Sequence, residues 1–261
     1  MPLPPQTSTP TDGASLLTSS EIPLRKRDRP RLTRGEIAFQ KLDGPLYVDG
    51  VRPTDPRQGF IGDCYLLCAF SAVARSRPQL VEAMLRPTGE GIYETTFYRR
   101  MGDGKFQPET VRVDGKVPVA AKDGRPIYVR TSPDAQGRME TWPMIAEKAY
   151  AAWKGGYHIM GEGGAVEDTL EELTGKPTRM LYISEHHPEV LWKMLALATR
   201  EKWPATVCTW GRVERPGLDE LGMHPNHIHI FLGVHALRGR RIVWLRDPFD
   251  KPTCGKLNLP D

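Results

Sequence analysis

Residues 58 to 70 read QGFIGDCYLLCAF, which sets one cysteine, Cys64, directly behind Gly-Asp and at the head of an apolar run. A thiol at the first turn of a helix faces unpaired backbone N–H groups and the positive end of the helix dipole, and both favour the thiolate. The glycines at 59 and 62 allow close approach to that thiol without Cβ clashes. A nucleophile of this kind needs a base, and the base needs an orienter. The stretch MHPNHIHIFLGVH supplies His224, His227, His229 and His235, and RIVWLRDPFD supplies Asp247. Side chains alternate along a strand, so 227 and 229 share a face, and a hairpin between the two stretches brings Asp247 alongside the histidines. The same residues admit other chemistry. His-x-His on a strand, completed by His224 or His235, is a zinc pattern, and Cys64 with Cys68 on one helix face is a candidate redox pair. Spacing alone leaves these readings open.

The elements that must position these groups follow from periodicity and punctuation. Apolar residues at 66, 67, 70, 73 and 74 predict a buried helix over 63–74, interrupted by Pro78. GIYETTFYRR, ETVRVDGKVPV and RPIYVRTS, separated by turn residues, predict antiparallel strands. WPMIAEKAYAAWKGGY and GAVEDTLEELTGKP return to helical spacing, the second stopped by Gly175 and Pro177, and a third helix is expected in PEVLWKMLALATRE. PATVCTW, HIHIFLGVHAL and RRIVWLRDP predict a sheet near the end. The expected organisation is a basic, unstructured arm over 1–40, a helical region over 41–175 bearing Cys64, and a sheet-rich region over 176–261 bearing the histidines and Asp247.

Composition excludes several classes. Residues 1–41 hold seven Lys or Arg and four Asp or Glu, so that segment carries +3 of the net +4 and the remaining body is nearly neutral. The arm can meet an acidic partner, but the body has no nucleic-acid signature. No stretch reaches the roughly 18 to 20 uninterrupted apolar residues of a membrane span. The N-terminal residues lack a charged and then apolar secretory signal, so the expected location is the cytoplasm, or outside by a route that reads no such signal. Four cysteines in 261 residues, with no Cys-x-x-Cys pair, are expected as reduced thiols.

Taken together, these stretches resemble the calpain protease core. QGFIGDCYLLCAF is similar to the calpain active-site segment, HIHIFLGV aligns with its histidine segment when Gly233 falls on the family glycine, and RIVWLRDPFD resembles the Arg-Asn-Pro-Trp-Gly motif. The intervening GIYETTFYRR…KDGRPIYVRTS and AEKAYAAWKGGYHIMGEGGAVEDTLEELTG follow calpain order, so the resemblance covers roughly residues 45 to 250. It implies an α+β, papain-like fold of two subdomains, one helical and one an antiparallel sheet, with a cleft between them. It implies a cysteine endopeptidase acting on protein or peptide substrates, with Cys64 as nucleophile, His227 as general base and then acid, Asp247 as orienter and Gln58 as an oxyanion donor. His224, His229 and His235 are then spectators. Two departures stand out: Asp247 where the family has Asn, and Phe249-Asp250 where it has Trp-Gly. Because Cys-His-Asp is also the order of transglutaminase-like enzymes, acyl transfer or deamidation at glutamine side chains is an alternative, as is an inactive binding module. The resemblance further implies one Ca²⁺ site, from the Val48 and Gly50 carbonyls with the Asp55 and Glu147 carboxylates, a hard oxygen set suited to that ion. The family's second calcium site is expected to be missing, since KPTCGKLNLPD lacks its acids.

Overall fold

The structure is a computed structural model and describes residues 15–18, 21–22, 37–134, 136–209 and 223–249. Its centre is helix α1 (Cys64–Ser76), in which every residue except Cys64 and Arg75 is buried. A helix apolar on all sides can only be stable when surrounded. Around it lie α2 (Pro78–Met84), α3 (Trp142–Lys154), α4 (Tyr157–Met160) and α5 (Val166–Thr174). Pro78 does not merely stop α1: it opens α2 at the first helical position, where its missing N–H has no cost. Full burial of Leu66, Leu67 and Phe70 contributes about 1.5–3 kcal/mol apiece.

The strands of this first part are β1 (Leu16–Leu17), β2 (Ile37–Lys41), β3 (Leu85–Gly89), β4 (Ile92–Arg100), β5 (Phe106–Asp114) and β6 (Lys116–Ala120). They form a sheet in the order β1-β5-β4-β3 and a separate β2-β6 pair. ETVRVDGKVPV therefore holds two strands, broken at Gly115, where a Cβ would come within 2.9 Å of the Tyr93 ring. The arm is tied at its described points, since Leu16 and Leu17 pair parallel with Arg112 and Val113 and Ile22 is buried. Its basic stretch 25–34 lies outside the described residues. The strand expected over RPIYVRTS does not form. That segment makes only isolated bridges, Val119↔Pro126 and Arg57↔Arg130, because its backbone bonds go to the loop before α1: Arg57 and Arg130 exchange both N–H···O bonds, and Phe60 N–H donates to Ile127 O.

The remaining elements are α6 (Pro188–Arg200) and the sheet β7 (Thr206–Cys208), β8 (Ile228–Leu237) and β9 (Arg240–Arg246), in the order β7-β8-β9. Arg238 and Gly239, both at positive φ, make the two-residue turn between β8 and β9, as the right-handed strand twist requires. Gly233, at φ +137, accommodates a bulge between Phe231 and Gly233. Alternation divides β8. Ile228 and Ile230 join the main core beside α1, whereas Phe231 and Val234 pack in a smaller cluster with Ala198 of α6. Among the described residues no helix is long and apolar enough to cross a membrane.

Candidate active site

Cys64 is the first residue of α1, and the Asp63 carbonyl before it accepts from the Leu66 and Leu67 N–H groups at 2.9 and 3.1 Å. The Tyr65 and Ile228 N–H groups point at its sulfur, which sets the thiol against the residue that follows His227. The helix position was expected to favour the thiolate, but the net effect runs the other way. Burial and the neighbouring Asp63 carboxylate push the Cys64 thiol up to about 11, overriding the two N–H donors. A proton acceptor is therefore needed for Cys64 to react near neutral pH. Cys68, one turn on, is fully buried and donates from its thiol to Ile228 O at 3.2 Å, a packing role rather than a redox pair.

The hairpin register decides where Asp247 lies. The last β8-β9 pair is Ile230↔Arg246, so the next step along the ladder sets Asp247 opposite His229, with His227 diagonal on the same face. His227 Nε2 lies 3.2 Å from Asp247 Oδ1, and Phe249 N–H donates to the same oxygen at 2.7 Å. Burial alone would raise the Asp247 carboxyl; the His227 and Phe249 bonds outweigh it and hold the group below its ordinary range. With Nε2 committed to Asp247, Nδ1 is the ring nitrogen free to take a proton. The Phe249 ring stacks on the His227 ring, with centroids 5.1 Å apart at 11°. Phenylalanine thus covers the histidine–carboxylate bond where the resembled motif has tryptophan. His224 and His229 also converge on Asp247, whereas His235 is exposed and packs on Trp244.

The loop from 53 to 63 is held from both sides. Gln58 is buried, its backbone N–H donates to Pro248 O at 2.9 Å, and its side-chain Nε2 donates to Ile61 O at 2.8 Å. The amide carries a second N–H besides the one bonded to Ile61. At Gly59 a Cβ would sit 1.9 Å from Tyr128 O, so no other residue fits. Arg246, just before Asp247, donates to Pro53 O and Thr54 O at 2.8 and 3.2 Å. The segment that bears Asp247 and the loop that leads to Cys64 are thereby tied at three backbone carbonyls.

The four residues expected to hold calcium are not all brought together. Asp55 accepts from Arg52 N–H at 2.6 Å and from Trp142 Nε1–H at 3.1 Å. The carboxyl that meets Asp55 is Glu140, not Glu147. Glu140 hydrogen-bonds Asp55 and accepts from Val48 N–H at 3.3 Å. Burial and then the Asp55 charge push Glu140 up to about 8, and burial raises Asp55 as well. Gly50 turns the loop at φ +83. Glu147 lies elsewhere, 1% exposed, accepting from Val129 N–H at 2.9 Å and hydrogen-bonded to the fully buried Asp63. Burial, with Asp63 next, raises its carboxyl well above the usual range. Glu140 is the residue that sequence reasoning missed. It precedes α3, seven residues before the Glu147 on which the resemblance places the family's glutamate.

The profile of the calpain family cysteine proteases matches residues 10–254. The calpain-type cysteine protease DEK1 of Arabidopsis thaliana is 28% identical over 216 residues, covering 78% of this chain and 9% of the relative. Calpain-12 of Mus musculus is 28% identical over 205 residues, 76% of this chain and 27% of the relative. The calpain-1 catalytic subunit of Rattus norvegicus is 31% identical over 161 residues, 60% of this chain and 21% of the relative. The chain thus spans only a tenth to a quarter of the length of these curated relatives. From a match over nearly its whole length, this chain belongs to the calpain family of cysteine proteases.

Proposed function

We propose that this chain is a cysteine endopeptidase in which Cys64, His227 and Asp247 act as a triad, in a papain-like arrangement of two halves with the cleft between them. The observation that carries the reading is the His227–Asp247 contact, shielded by Phe249 and adjoining the residue whose N–H meets Cys64. Asp247 holds His227 with Nδ1 as the basic nitrogen. Nδ1 takes the Cys64 proton as the sulfur attacks the peptide carbonyl carbon, and the carbonyl oxygen becomes an oxyanion. The free N–H of the Gln58 amide and the Cys64 backbone N–H are the donors for that charge; losing one such donor typically costs on the order of 10²–10³ in rate. The imidazolium then protonates the departing amine, leaving an acyl-thioester on Cys64. Water, deprotonated by Nδ1, hydrolyses the thioester and restores the thiol. Burial and the Asp63 carboxylate raise the thiol, so His227 is needed as the proton acceptor.

The 48–55 loop and Glu140 suit one Ca²⁺ ion. Asp55 and Glu140 are both buried and bonded to each other, and burial with the Asp55 charge raises the Glu140 carboxyl. With the Val48 and Gly50 carbonyls they supply the hard oxygen donors that Ca²⁺ prefers. When bound, the ion would neutralise the pair. The residues of the chain then transmit order: the loop continues into Gln58, and Arg246 grips its Pro53 and Thr54 carbonyls from the Asp247 side. The test is labelling with the epoxide inhibitor E-64 followed by intact and peptide mass spectrometry. One adduct is expected, on Cys64, absent from Cys64→Ala and slowed at least tenfold in His227→Ala. Labelling spread over other cysteines, or indifferent to His227, would overturn the assignment.

A further inference from the structure

Asp247 is fully buried, yet only one of its oxygens is accounted for by the triad. Oδ1 takes the His227 and Phe249 bonds. Oδ2 has two imidazole neighbours, Nε2 of His224 at 3.6 Å and Nε2 of His229 at 3.9 Å. His224 reaches it from the half-exposed turn before β8. His229 is a different case. It is fully buried, neither of its ring nitrogens has a hydrogen-bond partner among the described residues, and its ring meets that of His227 edge-on with centroids 5.2 Å apart. An inward strand position beside a hydrophobic cluster ordinarily takes an aliphatic residue. An imidazole there, directed at the second oxygen of the carboxylate, needs a reason.

We infer that His229 is a positioning residue for the proposed triad: its Nε2, 3.9 Å from Asp247 Oδ2 and so an electrostatic neighbour rather than a hydrogen-bond partner, biases the carboxylate rotamer and so keeps Oδ1 on His227. The inference rests on the triad reading above. It accounts for the departure at position 247. An asparagine would offer one acceptor and one amide donor, whereas an aspartate offers acceptors on both sides, and the second needs a donor in a dry site. His229 sets the N–H dipole of a neutral ring near that oxygen, because burial, aided by His227, lowers its own basicity to about 4. The titratable groups around it are His224, His227 and Asp247, of which Asp247 alone carries negative charge. His229 touches no reacting atom; it acts through Asp247.

The experiment is a double-mutant cycle on the full chain. His229→Phe keeps ring volume and removes the donor, and His229→Gln keeps a donor. With a peptide substrate, His229→Phe is expected to lower kcat by about ten- to a hundredfold with KM within twofold, and His229→Gln to restore at least a third of the lost rate. The iodoacetamide alkylation rate of Cys64, read in both backgrounds, is expected to fall about tenfold when His229→Phe is made in the parent chain and to change by less than twofold when it is made in Asp247→Ala. Wild-type kcat in His229→Phe, or an equal loss in both backgrounds, overturns the proposal. Should His229→Phe not fold, His229→Met takes its place in the same cycle. The two readings fail separately: full activity of Asp247→Ala alone removes the triad, whereas an impaired Asp247→Ala with an additive cycle leaves the triad standing and removes His229.

Discussion

Glu140 offers a quantitative test of the calcium reading. Its carboxyl is pushed up to about 8 by burial and by Asp55, so an arriving cation must displace a proton. At pH 6 roughly one molecule in a hundred carries the Glu140 carboxylate, and at pH 8 about half do, since each pH unit below the pKa is tenfold. The apparent Ca²⁺ affinity is therefore expected to rise about fiftyfold between pH 6 and pH 8 and to level off above that, with close to one proton released per ion at the acid end. Isothermal titration calorimetry in two buffers of different ionisation enthalpy reads both quantities. The linkage has a matching sign in the calcium-free protein. A carboxyl whose folded pKa is raised gives stability that is complete below its ordinary range and is lost as pH climbs through about 8, so the free protein should melt lower at pH 8.5 than at pH 6. Saturating Ca²⁺ should offset this loss. At a hundredfold excess over Kd the gain is about 2.7 kcal/mol, or roughly 5–10 °C in Tm for a chain of this size. Glu140→Gln should abolish binding and its pH dependence together, while Glu147→Gln should leave the affinity within twofold. An affinity flat between pH 6 and 8, or a Glu140→Gln protein that binds as well as the parent, would refute the reasoning.

The pH dependence of Cys64 alkylation should follow the raised thiol. Iodoacetamide reactivity in His227→Ala is expected to climb about tenfold per pH unit up to about 10, and a plateau reached by pH 8 would contradict the burial argument. Asp247→Ala should lower kcat/KM by two or more orders of magnitude, whereas Asp247→Asn, which keeps an acceptor for His227, should retain a substantial part of the rate; steady-state kinetics on one peptide compares the two. Glu147→Ala leaves the Val129 N–H and the Asp63 carboxyl buried without their partner, a loss of about 3 kcal/mol. Glu147→Gln, which can accept from Val129 and donate to Asp63, should cost less than a third of that by urea denaturation.

Much of the site is legible in the chain because its parts are local. Cys64 heads a helix with an apolar pattern, His227 and His229 share a face by strand alternation, and the Arg238-Gly239 turn returns Asp247 to them. The failures arise where a partner lies far along the chain. Glu140 and Glu147 are seven residues apart, and the resemblance places the family's glutamate on the one inside the helix. Only the packing of Trp142 against Asp55, 87 residues away, reveals that the residue before the helix is the one that faces the loop. RPIYVRTS has the composition of a strand, but its backbone partners are split between β6 and the 57–60 loop. The direction of the thiol shift is not legible in the chain either, because the helix end is visible in the sequence and the burial of Cys64 beside the Asp63 carboxylate is not. For the same reason His229 reads as sheet packing until Asp247 is seen across from it.

The most direct measurement is the digestion of casein by the full chain in 1 mM Ca²⁺, with Cys64→Ala run in parallel and both proteins checked for the same melting transition. Cleavage into discrete fragments by the parent, with new N-termini found by mass spectrometry and none produced by a folded Cys64→Ala, is the expected result. Fragments produced equally by Cys64→Ala, or release of ammonia from glutamine side chains with casein left uncut, would contradict an endopeptidase built on Cys64.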